Sequence, residues 1–464
     1  MVVNNKTGPR SVHRACNDFH QTAESERRTY LGDHPSPGLS RRQLIGRGLA
    51  AGLAVYAAQA MPFTRVLEAA AADAATAPDA PILVSIFLPG GCDLLDTLVP
   101  RDGYGRYADL RPSLKLGGDL PALGGTGLSI NPALTSGAGG GVKGLYDAGK
   151  VGFLPGIDYA NPDLSHFHSR HFWETGLVTQ TAASGWLGRF LDRNGSRDNP
   201  LQGMSMSNAL SPVLRTGGAP VAAVSSPNDA QFWMPDVWGK SFDDAMDAWA
   251  QIAKRSTASP GEAAAVASAR LTKEVADRLA PYKADEDAGI DPLRSSVAYP
   301  KDNELGDRLR NLAGLLAQPL GIRVATVQSE GDFDTHDRQR ADHTKGLRDL
   351  SEALASFQAD VESRGLGDRV LTFVWSEFGR RAEQNDSAGT DHGAGGFGFV
   401  MGSRAKAGIL SDYPSLKALD DHGNLPVSVD FRRVYCSLIE QWLGTDAGAI
   451  IPNASAFGRL GLVA

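Results

Sequence analysis

Beyond Ala80 this 464-residue chain has seven histidines, and five of them fall in three short polar clusters. These are Asp163-Leu164-Ser165-His166-Phe167-His168-Ser169-Arg170-His171, then Asp332-Phe333-Asp334-Thr335-His336-Asp337, then Gly389-Thr390-Asp391-His392-Gly393. A further carboxylate, Asp93, follows Pro89-Gly90-Gly91-Cys92. Carboxylates and imidazoles suit hard-to-borderline divalent metals, and two such metals can clamp the oxygens of a phosphoryl or sulfuryl transfer. Adjacent Asp391 and His392 can approach one cation, and the flanking glycines let the backbone come close. Ser165 stands where a helix should begin. Amide N–H groups and the helix dipole there favour an anionic substrate and an ionised hydroxyl, so a metal-bound Ser165 alkoxide is a candidate nucleophile, with Thr97 the second choice. In Ser376-Glu377-Phe378-Gly379-Arg380-Arg381, Arg380 can orient an oxyanion by a bidentate fork. Plain structural readings compete. Asp93 can bond turn amides, residues 332–337 can cap the next helix, Ser165 can be only an N-cap, and His168 and His171 can flank an aromatic core face.

The elements that must carry these clusters are legible as apolar runs. Pro81 to Leu88, Val151 to Gly156, Ile322 to Val327, Val370 to Trp375 and Phe397 to Gly402 read as buried strands. Helical patterns cover Ser165 to Thr175, Gly185 to Asn194, Asp243 to Arg255, Gly261 to Tyr282, Asp307 to Leu316 and Arg340 to Arg364. A closing helix follows Asp430, its N-cap, and stops at Gly444. Strands alternating with helices predict an α/β fold with a mostly parallel sheet. In such sheets ligands bind outside the carboxyl ends of the strands, which is where the four polar groups lie. Residues 100–150 read as Gly-rich loop, and residues 195–318 as an elaboration or cap inserted on the single domain 81–464.

Composition excludes some partners. The net charge is −7; residues 1–74 carry 9 Lys/Arg against 6 Asp/Glu, or +3, leaving −10 for the rest. An acidic body lacks the basic surface that nucleic acid demands. The three cysteines match no zinc spacing, and Cys92 and Cys436 read as separate buried thiols. Residues 1–39 read as a disordered polar extension. Ser40-Arg41-Arg42-Gln43-Leu44-Ile45, a weakly apolar stretch to Phe63 and an Ala-rich region to Ala80 have the order of a twin-arginine export signal. The expectation is a folded protein exported by the twin-arginine translocase to the periplasm, cell surface or medium. No stable transmembrane span is expected.

Seven motifs carry a resemblance. They are Leu88 to Asp93 with Asp96-Thr97-Leu98-Val99-Pro100, Ser165-His166-Phe167 with Phe172-Trp173-Glu174-Thr175-Gly176, Gly185-Trp186-Leu187-Gly188-Arg189, Phe333-Asp334-Thr335-His336, Ser376 to Arg380, Gly389 to Gly393, and Asp430-Phe431-Arg432. Over Pro81 to Gly444 the chain resembles a bacterial family catalogued as domain of unknown function 1501, usually carried behind a twin-arginine leader and grouped with the alkaline phosphatase-like superfamily. The resemblance implies a doubly wound sheet and a site for one or two divalent metal ions acting on phosphate or sulfate esters, including carbohydrate esters. Carried over, Asp93, Asp391 and His392 would hold one metal facing Ser165. Asp334 with His336, or Asp332 with His336, would form the second site, and Arg380 would steady developing charge. The superfamily's late histidine has one counterpart by position, His422, which no family motif supports. The functional expectation is an exported metal-dependent hydrolase or transferase. The alternative is a non-catalytic exported protein that keeps the fold and a structural metal.

Overall fold

The computed structural model describes residues 79–230 and 260–464, with isolated positions 241, 244, 248 and 251. The polar extension, almost all of the export region and most of the helix expected from Asp243 to Arg255 lie outside the described residues.

Nine strands form the main sheet: β1 Ile82–Phe87, β2 Val151–Asp158, β3 Gly203–Ser205, β4 Ala222–Ala223, β5 Val324–Gln328, β6 Val370–Trp375, β7 Gly396–Met401, β8 Gly408–Ile409 and β9 Val429–Asp430. The order is β8-β2-β7-β6-β1-β5-β3-β4, with β9 also beside β2. Every pairing is parallel except those of β7, which runs against both β2 and β6. The five apolar runs thus become β1, β2, β5, β6 and β7.

Alternation along β1 explains why its run is apolar on both faces, Ser85 apart. Ile82, Val84 and Ile86 enter one core, and Leu83 and Phe87 enter the other. Both faces are covered. On one side pack α4 (Glu304–Leu316) and α5 (Gln339–Ser363), through Leu309, Leu312, Leu347, Leu350 and Leu354. On the other pack α2 (His166–Thr175), α3 (Trp186–Asn194) and α6 (Phe431–Ser437), through Trp173, Trp186, Leu187 and Tyr435. Burying each such side chain is worth about 1.5–3 kcal/mol. The short α1 (Leu94–Thr97) turns the chain just after β1. Among the described residues no helix is long and apolar enough to cross a membrane.

One expectation needs correction. Residues 98–147 are not plain loop: Leu98–Pro100, Ala122–Leu123 and Leu128–Ile130 form a small antiparallel sheet, and Tyr104–Leu110 and Gly141–Asp147 are helical. The stretch read as an elaboration or cap opens with β3 and β4, which extend the main sheet beyond β5. Strands of two or three residues leave no periodic signal to read. Cys92 and Cys436 are free and buried.

Candidate metal centre

Four chain segments meet at the carboxyl rim of the sheet. α2 begins after β2, with Ser165 at its N-cap and Gly176, at φ +69°, ending it. Trp173 of this helix stacks on Trp375 of β6 at 5.5 Å and on Phe431 at 4.6 Å, which fixes the helix against the sheet. His166, the first residue of α2, therefore faces the rim. The segment after β5 brings Asp334 and His336, and the segment after β6 brings Glu377 and Arg380. The antiparallel direction of β7 returns the chain to the same rim with Asp391 and His392. Arg380 and His392 lie opposite each other in a two-residue antiparallel ladder, so both side chains reach one target.

That target is Asp334. Its Oδ1 lies 3.0 Å from His392 Nε2, 3.1 Å from His336 Nε2 and 2.7 Å from an Arg380 guanidinium nitrogen; its Oδ2 lies 3.4 Å from His166 Nε2. His336 Nε2 and His392 Nε2 are 3.0 Å apart. One ligand atom each from His166, Asp334 and His392 falls within 4.8 Å of the others, a grouping able to hold a metal ion. Burial opposes ionisation of Asp334, but His166, His336, His392 and Arg380 hold its carboxyl far below the usual range.

The far side of each ring is committed. Glu377 Oε1 accepts from His166 Nδ1 at 2.9 Å, the Leu164 carbonyl from His392 Nδ1 at 2.8 Å, and Asp391 Oδ1 from His336 Nδ1 at 3.2 Å. A carbonyl or carboxylate oxygen only accepts, so each Nδ1 carries a proton, and each Nε2 is turned toward Asp334. Glu377 is itself buried and also accepts from the Gly90 amide at 2.9 Å. Burial works against its charge, but the His166 bond keeps its pKa low. Asp391 is pulled down to about 2, chiefly by its bond to His336.

The glycines at this rim are required by contact. A Cβ on Gly90, at φ +108°, would sit 2.2 Å from the Asp334 amide nitrogen, and one on Gly389 would sit 2.2 Å from the His336 carbonyl. Close approach, more than chain freedom, explains both.

Of the residues expected from sequence, Asp334, His336, Asp391, His392 and Arg380 come together. Asp332 is exposed and accepts the Asp334 amide. His422 is exposed in a turn. Ser165 precedes His166, and its side chain makes no cap bond. Arg380 is 1 % exposed. Besides Asp334 it binds the carbonyls of Gly90, Gly91, Phe333 and Thr390, so it holds the site's backbone in place.

Asp93 lies elsewhere than in the histidine cluster. It caps α1 and pairs with buried Arg111, whose nitrogens lie 2.9 Å from Asp93 Oδ1, 2.8 Å from Asp93 Oδ2 and 2.9 Å from Asp96 Oδ1. Arg111 spends its remaining donors on the carbonyls of Ala382 and Arg381. Burial disfavours the charge on Asp93, but Arg111 overcomes it and sets the pKa at about 2. Gln339, first residue of α5, links the two groups: its amide donates to Asp93 and Asp96, and its oxygen accepts from Thr390 next to Asp391. Sequence reasoning passed over Glu377 and left His166 without a ligand role. Their signals were a lone acid two residues after a buried strand and a histidine directly after an N-cap.

Two solved structures, both TAB5 alkaline phosphatase mutants with magnesium bound, align at 10% and 11% identity. Each covers 70% of this chain and 91% of its own, at TM-scores of 0.30 and 0.29, a level of likeness that carries no argument here. No curated protein sequence matches the chain. Residues 155–425 match the family described as "Protein of unknown function (DUF1501)"; this span holds every member of the histidine cluster but neither Asp93 nor Arg111. With more than half of its length matched, the chain belongs to that family.

Proposed function

We propose that the chain binds one or two divalent metal ions through His166, Asp334 and His392, with His336 and Asp391 beside them. On this reading it is an exported hydrolase or transferase of phosphate or sulfate esters, carbohydrate esters included. The carrying observation is the common orientation of three rings, each with its Nδ1 proton spent on an acceptor and its Nε2 turned to Asp334. When each ring holds its single proton on Nδ1, the Nε2 lone pairs face a carboxylate and, at 3.0 Å, each other. A cation among them converts that repulsion into attraction. Outer partners on the second ring nitrogen are the usual support of metal-binding histidines. The imidazole and carboxylate donor set fits a borderline or hard divalent ion and not a thiolate-seeking one.

A divalent metal there would supply Lewis acidity toward an ester oxygen and favour ionisation of a nearby hydroxyl or water. Ser165 is the proposed nucleophile, because it adjoins His166 and its hydroxyl caps nothing. Thr97 is less suited: it is fully buried and bonded to the Asp93 carbonyl. Glu377 and Arg380 act as positioning residues. Export rests on the Arg41-Arg42 signal.

One observation favours the second reading, an exported protein with a purely structural metal. Asp93, expected to hold a metal, and Arg380, expected to steady charge on a substrate, spend their charges inside the protein. Metal analysis of the purified chain together with aryl phosphate and aryl sulfate assays separates the two. Bound divalent metal, lost in His166→Ala, with turnover lost in Ser165→Ala while metal is retained, is the expected result. Metal without turnover on any ester supports the second reading, and absence of metal overturns both.

A further inference from the structure

α2 carries a second polar feature one turn beyond His166. Arg170 follows four residues on, about 6 Å along the axis, and Glu174 another turn further. Arg170 Nε donates to Glu174 Oε1 at 2.8 Å, and its guanidinium lies 4.6 Å from the Phe87 ring centroid. Beneath them, between α2, the sheet and the segment after β3, is a cavity of about 110 Å³. At roughly 10–15 Å³ of such space per water, it has room for about seven to eleven water-sized groups.

The sheet presents an unusual floor to this cavity. Ser205, Thr326 and Ser85 are paired in register across β3, β5 and β1, so their hydroxyls share one face. Most side chains on this face are apolar core. Ser85 accepts from Trp375 Nε1 and Ser205 donates to the Ala209 carbonyl. Thr326 is 5 % exposed, and its hydroxyl has no partner among the described residues. A buried hydroxyl left unpaired is destabilising, and such a group calls for an explanation.

We infer that this cavity binds an uncharged, hydroxyl-rich group, either a small polyol or a single sugar ring. The Arg170–Glu174 pair cancels its own charge yet keeps donor and acceptor positions to spare. Thr326 offers a free hydroxyl at the floor. Phe87 and Trp375, with ring centroids 4.5 Å apart, supply an apolar wall for the C–H face of such a ligand. An anion would leave Glu174 facing it, and an apolar ligand would leave the Thr326 hydroxyl unpaired. If the metal–ester reading holds, the group bound here is the alcohol half of the ester. Binding itself does not depend on that reading.

Calorimetry and saturation-transfer NMR on the full chain, with and without chelator, test the inference. The probes are methyl glucoside, myo-inositol and inorganic phosphate. Saturable binding of a polyol probe is expected. Thr326→Val should weaken it about 3- to 10-fold and Arg170→Met about 10- to 100-fold. Thr326→Val should also keep or raise the melting temperature, because it removes an unpaired buried hydroxyl. That combination of weaker binding and undiminished stability is one that a structural role does not give. His392→Ala should leave polyol binding intact while removing metal, so failure of the metal reading shows separately. The inference is overturned if neither polyol saturates, if Thr326→Val binds as the parent does, or if phosphate alone binds.

Discussion

Two carboxylates stand at the same rim and have opposite surroundings. Asp93 meets Arg111, a buried guanidinium whose every N–H is used, and both side chains are almost wholly buried. Asp334 also meets a guanidinium, at one oxygen, but three imidazole nitrogens converge on it as well. The first group is balanced internally. The second assembles more electron-pair donors than the chain's own fixed cation satisfies, and Asp391 at its edge is 38% exposed. Sequence alone ranks the two alike, as acids after strands. What separates a structural acid from a candidate ligand here is the identity of the positive partner.

The contrast can be broken or sharpened by experiment. Arg111→Met should cost the most stability, about 3–5 kcal/mol, since it leaves Asp93 and Asp96 buried without their cation. Denaturant unfolding measures this, and metal content of the folded fraction should be unchanged. Next in size is His392→Ala: metal affinity should fall by more than about 100-fold, because loss of an outer partner alone costs about 10- to 100-fold. Unchanged affinity would remove His392 from the site. Glu377→Gln should fall in that 10- to 100-fold range, through loss of the anion that orients His166. The smallest effect concerns acid. With its pKa lowered from 3.8 to about 2, Asp93 contributes at most about 2 kcal/mol. That contribution is present above pH ~4 and fades as pH falls through about 2. Melting curves between pH 2 and 5 should show it in the parent chain and not in Arg111→Met.

Strand positions were readable because a strand buried on both faces writes a near-continuous apolar run, as Ile82 to Phe87 does with Ser85 its one polar residue. The direction of β7 was not readable, since an apolar run is the same for either direction. Asp334 with His336 and Asp391 with His392 were visible as adjacent pairs. Their meeting was not: it depends on contacts 55 to 58 residues apart, and His166 to Glu377 spans 211. Asp93 misled for a related reason. Its partner Arg111 sits 18 residues on, in a region that read as loop, and nothing in Arg111 itself announces a buried residue. The hydroxyl rung was hidden too, because Ser205 belongs to a three-residue strand.

The reversed strand has one more consequence, for engineering. Between Trp375 and Gly396 the chain leaves β6 and enters its neighbour β7 without crossing the sheet. A parallel neighbour would have used that segment as a crossover to the opposite edge. Here Glu377, Arg380, Asp391 and His392 all come from one uninterrupted hairpin excursion on one rim. Much of the site is therefore a cassette: exchanging residues 376–395 between family members should transplant His392, the Glu377 carboxylate that orients His166, and their scaffold together, while His166, Asp334 and His336 stay as the fixed socket that receives them.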